Sequence, residues 1–105
     1  MNDKLCKLLT EASNLLEECG YHDKSKWFLE RINILYNEDN NSDIFKQTAL
    51  EIKSVLGGMG SFSDLSMIPE PGSTISAEQA RLLQWDLSEE IDDEICVLLK
   101  NPNGS

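Results

Sequence analysis

Three glycines fall within four positions, at Gly57, Gly58 and Gly60, and the chain changes character on either side of them. Before them lie three segments with helical periodicity and mixed charge; after them come a stretch punctuated by Pro69, Pro71 and Gly72 and then one long acidic segment. Glycine at this density is too costly for a helix interior. A flexible spacer would not carry Met59, Phe62 and Leu65 among its small residues. Glycine also supplies backbone angles with positive φ and lets neighbouring backbone approach closely. The stretch Gly57–Leu65 therefore predicts an ordered loop, part of a connection over positions 57–75. It is held by burial of Met59 and Phe62, with positive φ at one or more of the glycines and Asp64 forming a turn through its carboxylate.

The flanking segments predict an all-α fold of four helices. Leu5, Leu8, Leu9, Ala12, Leu15, Leu16 and Cys19 recur at steps of three and four, which lines one face of a first helix opened by Asn2 or Asp3. Gly20 ends it as the left-handed residue. A polar turn, Tyr21–Lys24, leads to a second helix over Ser25–Tyr36, with Phe28, Ile32 and Leu35 inside and Trp27 and Ile34 widening the apolar face. The polar run Asn37–Asn41 is a surface loop. Ser42 caps a third helix carrying Phe45, Ala49, Ile52, Val55 and Leu56, and Gly57 stops it. The residues around Met67–Pro71 are extended or turn-like, because each proline fixes its own φ and biases its predecessor. Ser76 and Gln79 have the spacing of a reciprocal capping box. The fourth helix runs from there to about Lys100, with Ala80, Leu83, Leu87, Ile91, Ile95 and Leu98 inward, and positions 101–105 form a frayed tail.

With 105 residues the chain makes a single domain, 1–105. Its net charge of −10 opposes binding to nucleic acid, where Lys and Arg must meet phosphates, and to an anionic membrane surface. No apolar run approaches the length of a membrane span, and the N-terminus lacks a signal-peptide pattern. The three cysteines, Cys6, Cys19 and Cys96, are odd in number and widely spaced, which suits a reducing cytoplasm.

Catalytic chemistry is sparse. His22 is the one histidine, placed in a predicted turn with no nucleophile beside it. Cys19 and His22 have the spacing of half a zinc site, but no second Cys/His pair completes it. The glycine stretch follows a helix and is succeeded by Asp64, whereas a phosphate-cradling loop follows a strand and usually carries a basic residue. These observations predict no enzyme, no metal and no cofactor.

The informative element is the fourth helix. From Gly57 onward there are nine acidic residues against two basic ones; the first 56 residues have ten against seven. At 100° per residue, the face opposite Ala80, Leu87, Ile91 and Leu98 carries Leu82, Trp85, Glu89, Asp92, Asp93 and Cys96, with Asp86 at its margin. Two readings of Leu82 and Trp85 stand side by side. Either they pack beneath the glycine loop, or they are apolar anchors in an acidic surface made for a protein partner.

The motif Gly57-Gly58-Met59-Gly60-Ser61-Phe62-Ser63-Asp64-Leu65, followed by Pro71-Gly72 and a helix opening at Ile75-Ser76, resembles the signature of a family of small bacterial proteins. Trp27–Ile32 looks like that family's upstream segment. Such proteins are similar to immunity proteins encoded beside bacterial toxins, including those of contact-dependent growth inhibition. The resemblance implies a cytoplasmic, non-enzymatic inhibitor that binds a toxin domain as a monomer in a heterodimer. A nuclease toxin suits the charge best, because its substrate cleft is basic. Leu82, Trp85, Asp86, Glu89, Glu90, Asp92, Asp93 and Glu94 are the expected contact residues. The alternative is a helical adaptor or regulatory subunit that binds another protein.

Overall fold

A computed structural model describes residues 3–39, 41–56, 62 and 65–100. Four helices account for most of them: α1 (Asp3–Glu18), α2 (His22–Asn37), α3 (Asp43–Ser54) and α4 (Ala77–Lys100). Among the described residues there is no strand, and the fold is the expected small all-α domain. The expectations for Gly57, Gly58, Met59, Gly60 and Asp64, and for positions 101–105, fall outside the described residues.

The stripe of α1 buries Leu5, Leu8, Leu9, Ala12, Leu15 and Leu16 as its periodicity requires. Gly20 adopts φ +84°. The Tyr21 N–H then reaches back to Leu16 O at 2.8 Å and the Gly20 N–H to Glu17 O at 3.2 Å, the paired bonds of a Schellman ending. One correction follows directly. The segment Tyr21–Lys24 is not a free turn, because α2 begins at His22. The Schellman ending already reverses the chain, so a second helix can start at once, with Asp23 in its first turn favoured by the helix dipole.

This early start fixes the phase of α2. Ser25 becomes buried, and its hydroxyl lies 2.8 Å from that of Ser13 on α1, so two small polar groups satisfy each other at a close helix crossing. Phe28 and Leu35 are buried inward, Ile32 is half-buried, and Ile34 is exposed rather than part of the apolar face. At the start of α3, Ser42 Oγ accepts from the Phe45 N–H at 3.0 Å, the expected cap. Phe45, Thr48, Ala49 and Ile52 face the core. The α4 capping box forms in full: the Gln79 N–H donates to Ser76 Oγ at 3.1 Å and the Ser76 N–H to Gln79 Oε1 at 2.9 Å.

α1 packs against α2 and α4, and α3 packs against the same two helices, while α1 and α3 are not neighbours. One apolar core runs through all four. Its largest fully buried side chains are Phe45, Leu5, Leu9, Leu16, Leu35, Ile52, Ile91 and Ile95.

The connection between α3 and α4 is tied down at both ends. Phe62 is buried, with its ring edge-on to Phe28 at 5.8 Å, and its N–H donates to Val55 O at 2.7 Å. Met67 is buried as well. Farther along, the segment is sewn to the α1–α2 corner. The Glu70 N–H donates to Glu18 O at 2.8 Å, the Tyr21 hydroxyl donates to Ser66 O at 2.9 Å, and Ser73 Oγ donates to the Glu18 carboxylate. His22 lies exposed at the same corner. Its Nδ1 lies 2.7 Å from Glu17 Oε1 and its Nε2 lies 3.7 Å from Glu70 Oε1.

Candidate protein-docking surface on the fourth helix

The inner stripe of α4 departs from expectation at one turn. Ala80, Leu87, Ile91, Ile95 and Leu98 are buried as expected, but Leu83 is 42% exposed and Gln84 is 2% exposed. Gln84 Nε2 donates to Phe62 O and to Leu65 O, each at 2.7 Å. One turn on, Ser88 Oγ donates to Leu56 O at 3.2 Å. Carbonyls of the non-helical connection lie against this side of α4 and need donors. Burying them without a hydrogen bond costs about 1–3 kcal/mol each. A glutamine there is worth more than a leucine, so the helix turns Gln84 inward and Leu83 out.

Leu82 and Trp85 lie on the side of α4 away from the buried stripe, 52% and 56% exposed. Neither side chain is buried in the core, where Phe62 and Gln84 lie instead. Asp86, Glu89, Glu90 and Asp93 are exposed with them. The remaining two expected contact residues are engaged within the fold. Asp92 accepts from the Lys53 ammonium of α3, and that hydrogen bond raises the Lys53 pKa above its ordinary value. Glu94 is turned toward α1, 3.8 Å from the Lys4 ammonium, with its side chain 16% exposed. The carboxylates thus sort into a free crest, Asp86, Glu89, Glu90 and Asp93, and two flanks that tie α4 to its neighbours.

Sequence reading did not foresee a groove of about 770 Å³ running beside the crest, between α3 and α4. Leu50, Leu56 and Trp85 form its apolar surface, and Lys53, Glu89 and Asp92 its charged rim. Leu50 is itself 53% exposed, so apolar surface continues from Trp85 across the groove onto α3. The signal for it lay in the sequence: Leu50 follows buried Ala49 and falls outside the α3 stripe, as Trp85 falls outside that of α4.

Among the described residues no cluster of three or more His, Cys, Asp or Glu side chains is arranged to hold a metal ion. Burial pushes the Cys6 thiol up, with Asp3 adding to it. Burial, Glu18 and Glu70 do the same for Cys19, so both sites disfavour the thiolate. Cys96 Sγ accepts from the Lys53 ammonium at 3.6 Å. No described helix is long and apolar enough to cross a membrane. The chain matches no protein-family model, no curated protein and no solved structure.

Proposed function

We propose that this chain is a non-enzymatic inhibitor of the immunity type, which neutralises a basic toxin domain by binding it through the outer face of α4. The observation that carries the reading is the exposure of Trp85 and Leu82 on a crest that also bears Asp86, Glu89, Glu90 and Asp93. A tryptophan more than half exposed among carboxylates contributes little packing to the free protein. In a complex it supplies the desolvated anchor that dominates binding energy, and the surrounding charges steer the encounter. A nuclease is the partner class that suits this charge, because carboxylates on the crest can take the positions of substrate phosphates in a basic cleft. The resemblance of the Gly57–Leu65 signature to immunity-type proteins points the same way.

The two residue types are expected to act on different rate constants. Replacing Asp86 and Asp93 together by Lys should lower the association rate and weaken its dependence on salt. Trp85→Ala should raise the dissociation rate, at a cost of about 2–4 kcal/mol. The test is to find a toxin reading frame beside the gene and to measure binding kinetics of both variants against its product; a neighbourhood without such a frame counts against the inhibitor reading. Unchanged kinetics for both folded variants would remove the crest as the interface.

A further inference from the structure

Among the described residues, tryptophan, cation and carboxylate come together closely at Trp27 and only loosely at Trp85. On α2, the Arg31 guanidinium stacks over the Trp27 ring at 4.0 Å, and its Nε donates to Glu51 of α3 at 3.0 Å. Across α3, the Trp85 ring borders the groove with Glu89 and Asp92, yet the nearest guanidinium of the chain, Arg81, lies 6.0 Å from the ring centroid. That is the outer limit of a useful cation–π contact. The C-terminal end of α3, at Ser54, opens onto the same groove and adds the negative end of a helix dipole. An exposed indole, two carboxylates and a helix C-terminus all favour a positive charge.

From this geometry we infer that the α3–α4 groove seats an arginine side chain of the partner, stacked on Trp85 and paired with Glu89 and Asp92. The inference rests on the docking role of α4 and names the side chain that role would recognise. Arginine fits better than lysine, because a planar guanidinium can lie on the indole and still present its fork to carboxylates, as Arg31 does between Trp27 and Glu51. Lys53 is then an internal competitor. Its ammonium holds Asp92 in the free protein, and an incoming guanidinium has to share or displace it. Removing Lys53 should strengthen capture of arginine, an effect of opposite sign to that of damaging a structural ion pair.

The test titrates the whole protein with capped hexa-arginine and, separately, capped hexalysine at low salt, following the Trp85 indole N–H and backbone amides by NMR. The expected result is saturable shifts at Trp85, Leu50 and Ser88, with arginine tighter than lysine by about twofold or more. Lys53→Met should tighten hexa-arginine binding by about twofold beyond the charge-matched control Lys7→Met on α1, since only the former frees a groove carboxylate. Glu89→Gln, a change at an exposed position, should weaken binding more than Glu11→Gln, and it decides the question independently if Lys53→Met does not fold. Equal effects within either pair overturn the groove. Shifts gathered instead at Leu82, Asp86 and Asp93 also overturn the groove but leave the α4 crest as a docking face. Shifts scattered over every acidic surface without saturation overturn both.

Discussion

Gln84 reaches across from α4 to the Phe62 carbonyl at 2.7 Å, and this one contact couples the α3–α4 connection to the rotation of the helix that follows it. The same amide nitrogen also holds Leu65 O, and the Phe62 ring below it is buried against Phe28. Phe62→Ala should therefore cost about 3–5 kcal/mol through lost burial and the cavity left behind. Gln84→Leu should cost about 1–3 kcal/mol despite being more apolar, because it orphans buried carbonyls. Chemical denaturation of the two variants checks this. A Gln84→Leu protein as stable as the parent would show that the carbonyls find other donors.

Trp85→Ala in the free protein should change stability by about 1 kcal/mol or less, the size of an average point substitution. The residue is more than half exposed, so little packing is lost. A loss comparable to that of Phe62→Ala would place Trp85 in the core and remove it from the docking surface. Thermal melts of the two variants, run together, make the comparison.

The Lys53–Asp92 pair carries a pH signature. The folded-state pKa of Lys53 is raised from its ordinary 10.5, chiefly by the hydrogen bond to Asp92. A cation whose pKa is raised on folding contributes stability that is fully present below the unfolded value and is lost as pH climbs through the folded one. The stability difference between the parent and Lys53→Met should be flat from about pH 7 to 9 and shrink above pH 10. Denaturation midpoints across that range are the measurement, and a difference that already disappears near neutrality would contradict the pairing.

Cys19 should alkylate more slowly than a free thiol at neutral pH. Partial burial and the nearby carboxylates of Glu18 and Glu70 all disfavour its thiolate. Site-resolved mass spectrometry after timed iodoacetamide treatment gives the rate. Glu70→Gln should speed it modestly by removing one of those charges. A Cys19 that outpaces a model thiol would mean the site stabilises negative charge.

What the sequence determined by itself was local. Gly20 in the left-handed region, the Ser42 cap and the Ser76–Gln79 box each depend on neighbours within five residues, so local spacing specified them, and the α1 periodicity specified which face of that helix would be apolar. The concentration of charge after Gly57 was equally legible. The tertiary structure decided which flank of a helix faced which neighbour. Leu83 and Gln84 sit on opposite sides of the α4 inner stripe, and hydropathy alone favoured Leu83. The carbonyls of Phe62 and Leu65 reversed that choice, because a buried acceptor needs a donor more than the core needs one further leucine. Likewise, eight residues of α4 looked alike as a contact surface until Lys53 on α3 and Lys4 on α1 took Asp92 and Glu94 for the fold. Periodicity fixes each side chain's angle about its own helix axis. The partners waiting at that angle come from other parts of the chain, and only packing brings them there.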